Sequence, residues 1–176
     1  MSPAPQGCDE VMNNAMNGLN ILAVYPETIS DGYGLRYAIY FAGCAHHCPG
    51  CHNPDSHDPR QGQPLTAEWT ENICAAISAN PILDGVTLSG GDPLLRPEPM
   101  AAFLRLVKER TGQNIWCYTG YTLEECLADP VRRECLRWID TLVDGRYVEA
   151  LRDLSLDFRG SSNQRVIDIG ALKLFG

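Results

Sequence analysis

The sequence lacks a long apolar run and an excess of positive charge. No window of about 18 uninterrupted apolar residues occurs, and residues 1–18 are polar and acidic rather than cationic, so we expect neither a membrane-spanning helix nor a signal peptide. The 22 Asp and Glu residues outnumber the 14 Lys and Arg residues, for a net charge of -8. Nucleic acids and anionic membranes bind concentrated Lys and Arg, so neither is expected as a partner. We expect a cytoplasmic protein.

Cysteine, in contrast, is abundant, with eight residues in a chain of 176. A chain of this length, 44% hydrophobic, can bury a core without disulfides. Because the cytoplasm keeps thiols reduced, the cysteines indicate metal binding, reactivity or core packing. We expect residues 1–18 to be a flexible lead-in and residues 19–176 to form one globular domain.

Strand-like and helix-like segments alternate from residue 35 onward. Segments rich in aromatic and β-branched residues, which favour strands, are 35–43, 85–91, 114–120, 140–148 and 165–175. Segments with helical periodicity or helix-ending signals are 66–80, 98–112, and a pair, 122–130 and 131–139, divided by Pro130. This alternation favours βαβ units on a parallel sheet, with ligands at the carboxyl ends of the strands.

The segment FAGCAHHCPGCHNPDSHDP, residues 41–59, contains three of the cysteines and all four histidines. Cys44, Cys48 and Cys51 form a C-x3-C-x2-C pattern directly after the first predicted strand. Three thiolates on one tight loop can hold three irons of a 4Fe-4S cluster and leave the fourth iron without a protein ligand. Pro49 and Gly50 suit a backbone that curls around a cluster, since proline fixes its own φ and glycine tolerates unusual conformations.

A zinc knuckle is the alternative for this loop. His46, His47 or His52 would then complete a tetrahedral site with three cysteines. The spacing does not exclude zinc, although zinc knuckles usually supply their ligands as two separated pairs and no second pair follows here. Otherwise we expect the histidines to lie on the surface or around the site rather than to bind metal.

Together, C-x3-C-x2-C after one strand and SGGDP after the next resemble the motifs of radical S-adenosylmethionine enzymes. Within that superfamily the chain is similar to the activating proteins of anaerobic ribonucleoside-triphosphate reductases. The similarity lies in DGYGLR (31–36), GCAHHCPGCHNP (43–54), LSGGDPL (88–94), IWCYTGYTLEEC (115–126) and LVDGRYVEALRDLSLDFRGSSNQRVID (142–168). The RGSSNQ segment is specific to this group, whereas the cysteine spacing marks only the superfamily.

The resemblance implies a 4Fe-4S cluster on Cys44, Cys48 and Cys51. Its open iron would bind S-adenosylmethionine through the amino and carboxylate groups of the methionyl part. The adenine would lie against the backbone around the third cysteine, at Gly50 and His52.

The resemblance also implies contacts from the ends of the second and third predicted strands. Gly90, Gly91 and Asp92 would receive the methionine amino group, and Thr119 would contact the cofactor. The residue types agree, because a glycine pair exposes carbonyls that suit an ammonium group and Asp92 adds negative charge, which a phosphate site would avoid. Without the cysteines, GGDP is typical of a turn.

The implied reaction uses one low-potential electron to cleave S-adenosylmethionine into methionine and a 5'-deoxyadenosyl radical. That radical would take a hydrogen from a backbone glycine of the large reductase subunit, leaving a glycyl radical, with no acid or base from the protein. Reduced flavodoxin or ferredoxin is the implied electron donor. The implied fold is an incomplete α/β barrel of parallel strands, since the chain is well short of the roughly 250 residues of a complete barrel.

Two other functions remain open on the sequence. An activase of a different glycyl-radical enzyme should carry additional ferredoxin-like cysteines or a longer barrel, and a zinc-stabilised binding module should lose its fold on chelation. The polar run from Arg159 to Gln164 is either an ordinary loop before the last strand or a contact for a cofactor or partner. The cysteines at 74, 117, 126 and 135 are expected to pack in the core, with a thiol pair of Cys126 and Cys135, on either side of Pro130, as the alternative for those two.

Overall fold

The computed structural model describes residues 6–175, with side chains from residue 10 onward. Its strands are β1 (Asn20–Thr28), β2 (Arg36–Phe41), β3 (Gln63–Pro64), β4 (Gly85–Gly90), β5 (Ile115–Tyr118), β6 (Thr141–Asp144) and β7 (Arg165–Asp168). Its α-helices are α1 (Gln6–Ala15), α2 (Ala67–Ala79), α3 (Pro97–Thr111), α4 (Leu123–Ala128) and α5 (Pro130–Leu136). Single turns of 3-10 helix occur at Pro54–His57, Pro93–Leu95, Glu149–Leu151 and Gly170–Leu172.

The strands form one mixed sheet in the order β3-β1-β2-β4-β5-β6-β7. The central strands β2, β4, β5 and β6 are parallel, as predicted. The outer strands are antiparallel to their neighbours, so the expectation of parallel strands throughout is corrected at both sides of the sheet. Short or irregular connections precede β2 and β7, and such connections can join antiparallel strands, whereas parallel strands need a longer crossover.

The predicted helices form where capping residues mark their ends. The hydroxyl of Thr66 accepts a hydrogen bond from the Trp69 amide at 3.1 Å and begins α2. Helix α3 ends at Gly112, whose φ of +65° is left-handed. Thr122 and Glu125 form a reciprocal capping box at the start of α4, and Pro130 separates α4 from α5.

Two terminal segments differ from the expectation. Gln6–Ala15, within the segment predicted to be a flexible lead-in, forms α1, and the buried Met16 accepts a hydrogen bond from the Thr70 hydroxyl of α2 at 3.4 Å. Residues 1–5 of that segment and the side chain of Cys8 lie outside the described residues. The strand predicted for 165–175 ends at Asp168, because the chain turns at Gly170–Leu172.

The core lies between the sheet and its crossover helices. Phe41 of β2 and Phe103 of α3 pack edge to face with ring centroids 5.6 Å apart, and both side chains are fully buried. The four cysteines predicted to pack in the core are buried there, at positions 74, 117, 126 and 135. Within residues 6–175 no helix combines the length and the apolar character needed to cross a membrane.

Arg36 is a buried charge at the start of β2, with 2% of its surface exposed. Its guanidinium donates to the Thr87 hydroxyl at 3.1 Å, the Val86 carbonyl at 2.7 Å and the Asn114 side-chain carbonyl at 3.1 Å. Burial lowers the pKa of this guanidinium, against the opposing effect of the Asp84 carboxylate. Arg36 therefore joins β2 to β4 and to the start of β5.

Replacing this side chain tests that connection. Arg36→Met should lower the free energy of unfolding by about 3 kcal/mol, because it leaves buried carbonyls without donors. Urea unfolding of the reduced protein measures the change. The matched control is Arg105→Met, since Arg105 is 61% exposed and only 4.0 Å from Glu109, and it should change stability by less than about 0.5 kcal/mol. Equal effects of the two substitutions would contradict the assignment.

Candidate functional site

The cysteines lie on a closed loop that follows β2, defined here as the cysteine loop, residues 43–57. The Gly43 amide donates to the Ser56 carbonyl at 2.7 Å, and the Cys44 amide donates to the His57 carbonyl at 3.1 Å. Inside the loop, the Cys51 amide donates to the Cys48 carbonyl at 3.1 Å. Because these backbone bonds close both the whole loop and its inner turn, the positions of the three cysteines are coupled.

The inner turn requires glycine at position 50. Gly50 has a φ of +73°, in the left-handed region that side chains disfavour. A Cβ there would lie 2.8 Å from the carboxyl group of the exposed Glu149, a flexible side chain that can move aside, so the requirement for glycine comes from the backbone conformation. The predicted role of Gly50 in curling the loop is therefore confirmed, while its contact with an adenine stays a prediction.

The three loop cysteines are reduced and partly exposed. Burial raises the pKa of the Cys44 thiol, and the nearby backbone amides of His46 and His47 oppose this effect. Three partly exposed thiols on a glycine turn therefore fit a cluster ligated by three cysteines.

No three His, Cys, Asp or Glu side chains of the described residues are arranged around one metal ion position. The identity of the metal ligands is therefore a proposal.

The glycine pair at the end of β4 packs on the start of the cysteine loop. The Gly91 amide donates to the Phe41 carbonyl and the Asp92 amide donates to the Gly43 carbonyl, both at 2.8 Å. A Cβ on Gly90 would overlap the Phe41 carbonyl, and one on Gly91 would overlap the Gly43 carbonyl. The pair thus has a packing role that the sequence analysis did not include.

Asp92 follows this pair and is 2% exposed. Its carboxylate accepts hydrogen bonds from the Leu94 amide at 2.8 Å and the Gly120 amide at 3.0 Å. It also accepts from the Thr119 hydroxyl at 2.9 Å and lies 2.7 Å from His46 Nε2. The structure thus brings the predicted residues Asp92 and Thr119 together, with donors from the cysteine loop and from the end of β5 on one carboxylate.

His46 connects the cysteine loop to Asp92. Arg146, just after β6, donates from Nε to His46 Nδ1 at 3.0 Å. A guanidinium has only donors, so Nδ1 must be the acceptor and Nε2 carries the hydrogen that is donated to Asp92. The His46 side chain is only 5% exposed and packs edge to face on Tyr121 at 4.5 Å. The sequence contains no signal for the hydrogen bond between His46 and Asp92, because these two residues and Arg146 lie in three separate loops.

A cavity of about 730 Å³ adjoins the cysteine loop at the carboxyl ends of the parallel strands. Its walls come from the cysteine loop, from strands β2, β4 and β5, from the segment before β2 and from residues 147–164. The lining residues are Ser30, Asp31, Tyr40, Gly50, His52, Ser89, Tyr118, Tyr147, Glu149, Arg152, Leu154, Leu156, Phe158, Arg159, Gly160 and Gln164. Of the predicted cofactor contacts, Gly50 and His52 line this cavity, whereas Cys51, Gly90, Gly91, Asp92 and Thr119 do not.

One end of the cavity carries hydroxyl groups that the sequence analysis did not single out. The Tyr40 hydroxyl donates to the Asp31 carboxylate, which also accepts from Thr28 at 2.7 Å. Burial raises the pKa of both Tyr40 and Tyr118, and the Asp31 carboxylate raises them further. Both hydroxyls therefore stay protonated near neutral pH. The only sequence signal was their position at strand ends.

Residues 147–164, here called the covering segment, supply much of the cavity wall and meet the cysteine loop where Glu149 lies beside Gly50. The Ser161 hydroxyl accepts from the Val148 amide at 3.1 Å. The Gln164 side chain accepts from the Gly160 amide at 2.9 Å and donates to the Gly145 carbonyl at 3.0 Å. Ser161 and Gln164 belong to the polar run whose role the sequence did not decide. Their hydrogen bonds fold the covering segment back on itself.

The sequence matches the protein family described as a 4Fe-4S single cluster domain over residues 30–167. A Salmonella typhi protein is 40% identical over 146 residues, which cover 81% of this chain and 94% of that protein. A protein of Escherichia coli K12 is 39% identical over 84% of this chain and 97% of its own length. One from Enterobacteria phage T4 is 34% identical over 84% and 93%. All three are named anaerobic ribonucleoside-triphosphate reductase-activating protein.

The described thiols divide into two classes that alkylation should separate. Burial raises the pKa of Cys126 and of Cys135 to about 12 and that of Cys74 to about 11. The thiolate is the nucleophile, so these three should resist iodoacetamide near neutral pH until the protein unfolds. Cys48 and Cys51, which are partly exposed, should react in the folded metal-free protein. Peptide mass spectrometry gives the order, and early labelling of Cys126 or Cys135 would contradict the burial.

A second prediction concerns the Asp92 carboxylate. Asp92→Asn replaces one acceptor oxygen by an NH2 group, which would face donors from the protein. Stability should fall by about 2–4 kcal/mol, and iron retained after anaerobic reconstitution should fall with it. Asp55→Asn is the control, since Asp55 is an exposed carboxylate in the same loop and its replacement should leave both measurements unchanged. Full stability and full iron content in Asp92→Asn would exclude this role.

Proposed function

Because the chain belongs to the family of anaerobic ribonucleoside-triphosphate reductase-activating proteins, we propose that it activates the anaerobic ribonucleoside-triphosphate reductase. The target is the large subunit of that reductase, on which the chain generates a glycyl radical. With a 4Fe-4S cluster and S-adenosylmethionine bound, one electron cleaves the sulfonium to methionine and a 5'-deoxyadenosyl radical, which removes a hydrogen atom from the target glycine.

One observation carries this proposal beyond the family relationship. The turn that holds Cys48 and Cys51 forms part of the wall of the 730 Å³ cavity through Gly50 and His52. Cys44, Cys48 and Cys51 would hold the cluster beside that cavity. S-adenosylmethionine would occupy the cavity with its adenine against Gly50 and His52 of the loop.

The methionine amino group is assigned to the end of β4, at Gly90, Gly91 and Asp92. The Asp92 carboxylate already accepts hydrogen bonds from the protein, and a carboxylate offers about four lone-pair positions. Direct contact with an ammonium group would therefore require one of those donors to move. Thr119, whose hydroxyl donates to Asp92, would act on the cofactor through this carboxylate.

We further propose that the sheet is an incomplete radical-SAM barrel. The terminal strands β3 and β7 of the sheet do not pair with one another, so the sheet is open, and an open side gives a large protein substrate access to the cluster. The radical-SAM domain would comprise residues 19–176. Reduced flavodoxin or ferredoxin would supply the electron, in the cytoplasm, where the thiols stay reduced.

The two alternatives are less well supported. A zinc-stabilised binding module does not account for the match to a 4Fe-4S domain family. An activase for a different glycyl-radical enzyme does not account for relatives that carry the same reductase-activating name from two bacteria and a phage.

The proposal predicts a reaction that can be measured on the purified protein. Anaerobic reconstitution with iron and sulfide, followed by dithionite and S-adenosylmethionine, should give a reduced-cluster EPR signal and 5'-deoxyadenosine. Addition of the large reductase subunit should give a glycyl radical signal. Stoichiometric zinc in anaerobically purified protein, with no 5'-deoxyadenosine, would instead favour the binding module.

The same assay tests the ligands. Cys48→Ala should lose the stable cluster and 5'-deoxyadenosine formation, because two cysteines are too few to hold three irons. Cys74→Ala removes a thiol buried in α2 and should retain both properties. A full cluster with normal cofactor cleavage in Cys48→Ala would show that the ligand assignment is wrong.

A further inference from the structure

Arg159 brings a cation with an unused donor to the cavity. Its Nη1 donates to the Gln164 backbone carbonyl at 3.1 Å, while its Nε is buried and has no hydrogen-bond partner among the described residues. No carboxylate of the described chain forms an ion pair with it. A buried donor without a partner is costly, so a ligand in the cavity that shifts the guanidinium enough to accept from Nε would recover that cost.

The backbone holds Arg159 in place on both sides. Phe158 has a φ of +56°, in the left-handed region, and its ring packs edge to face on Tyr33 and Trp116 with centroid distances of 4.8 and 5.5 Å. On the other side, Gly160 donates to the Gln164 side chain at 2.9 Å. The guanidinium is therefore presented from a fixed part of the covering segment.

No carboxylate that lines the cavity pairs with Arg159, and Asp153, which is not a lining residue, is close enough to feel its charge without forming an ion pair. Asp31, one of the lining carboxylates, already accepts from Tyr40 and Thr28. Glu149, the other, is exposed and lies beside Gly50 rather than Arg159. Arg152 also lines the cavity and pairs with no carboxylate of the described residues.

Seven arginines of the described residues pair with carboxylates, among them Arg132, Arg146 and Arg165, and five, including Arg159, do not. Among those five, Arg159 is the one with a buried Nε that lacks a hydrogen-bond partner in the described residues. Arginine also presents its donors as a planar fork that matches a carboxylate.

We propose that Arg159, with Arg152 at the rim, forms a carboxylate-binding subsite in this cavity. The inference rests on the proposed function, which supplies two sources of a carboxylate. One is the methionyl carboxylate of S-adenosylmethionine, and the other is an acidic group on the reductase segment that carries the target glycine. Within the RGSSNQ motif, Ser161, Asn163 and Gln164 build the wall, and Arg159 is the residue that meets the ligand.

Two binding measurements distinguish the sources. Arg159→Gln and Arg159→Lys are compared with the parent for S-adenosylmethionine binding, by anaerobic equilibrium dialysis of the reconstituted protein. Binding of the large reductase subunit is measured separately, with unreconstituted protein and no cofactor. Arg133→Gln is the control, because Arg133 is exposed on α5 and does not line this cavity.

Arg159→Gln should weaken one of these interactions about 10- to 100-fold, the effect of losing a hydrogen bond to a charged group. Arg159→Lys, which keeps the charge without the fork, should weaken it less. A loss confined to S-adenosylmethionine assigns the methionyl carboxylate, and decarboxylated S-adenosylmethionine should then bind Arg159→Gln and the parent alike. A loss confined to the reductase assigns an acidic group of the partner.

Other outcomes are equally decisive. If the parent binds both ligands and neither Arg159 variant differs from Arg133→Gln, the subsite does not exist, while the proposed function stands. If the parent binds neither ligand, the proposed function fails and the inference falls with it. If Arg159→Gln melts at a lower temperature than the parent, Arg159→Lys decides, and unchanged affinities in that variant would overturn the inference.

Discussion

The buried carboxylate of Asp92 is the interaction on which the arrangement of the candidate site depends. A charged group that is almost completely removed from water is stable only when hydrogen bonds replace its hydration. Here the replacement donors come from the residues after β4, from the end of β5 and from His46 in the cysteine loop. The position of each segment is therefore coupled to the others through one group.

The parallel register of the sheet prepares this arrangement. Phe41 of β2 pairs with Gly90 of β4, so both strands end at the same level. The chain can then leave β2 into the cysteine loop directly beside the chain that leaves β4, and the absence of Cβ atoms at Gly90 and Gly91 lets the two backbones touch. The location of the three thiols thus follows from strand pairing as well as from the loop itself.

Local signals in the sequence predicted the parts of the fold that depend on local structure. Helix α2 could be predicted from its capping threonine and apolar stripe, and helix α3 from its terminal glycine. None of these signals depends on the rest of the chain. Strand β1 was missed, since it contains Pro26 and its pairing with β2 is interrupted by register shifts. The position of β1 in the sheet is set by its pairing with β2, and the pattern of a single sequence does not reveal that pairing.

The candidate site shows the same division. The cysteine spacing and the GGDP turn were visible as motifs, and so was their common location at strand ends. The bond between His46 and Asp92 was not, because it joins residues that are 46 positions apart and depends on Arg146 to fix the tautomer. Histidines in a cysteine-rich loop look alike in sequence, and only tertiary packing separates His46 from the exposed His47 and His52.

The RGSSNQ motif illustrates why specificity to a group of proteins does not by itself indicate contact with a ligand. Ser161 is fully buried and accepts from the backbone, while Asn163 and Gln164 hold the carbonyls of Arg146 and Gly145. The hydrogen-bonding groups of these side chains are occupied in holding the covering segment at the cavity. A sequence motif can therefore be specific to a group of proteins because its side chains build a wall of the cavity. Only the hydrogen-bond donors of the motif that have no partner in the protein are then available to a ligand. By that criterion, the buried Nε of Arg159 is the group in this motif that a ligand could complete.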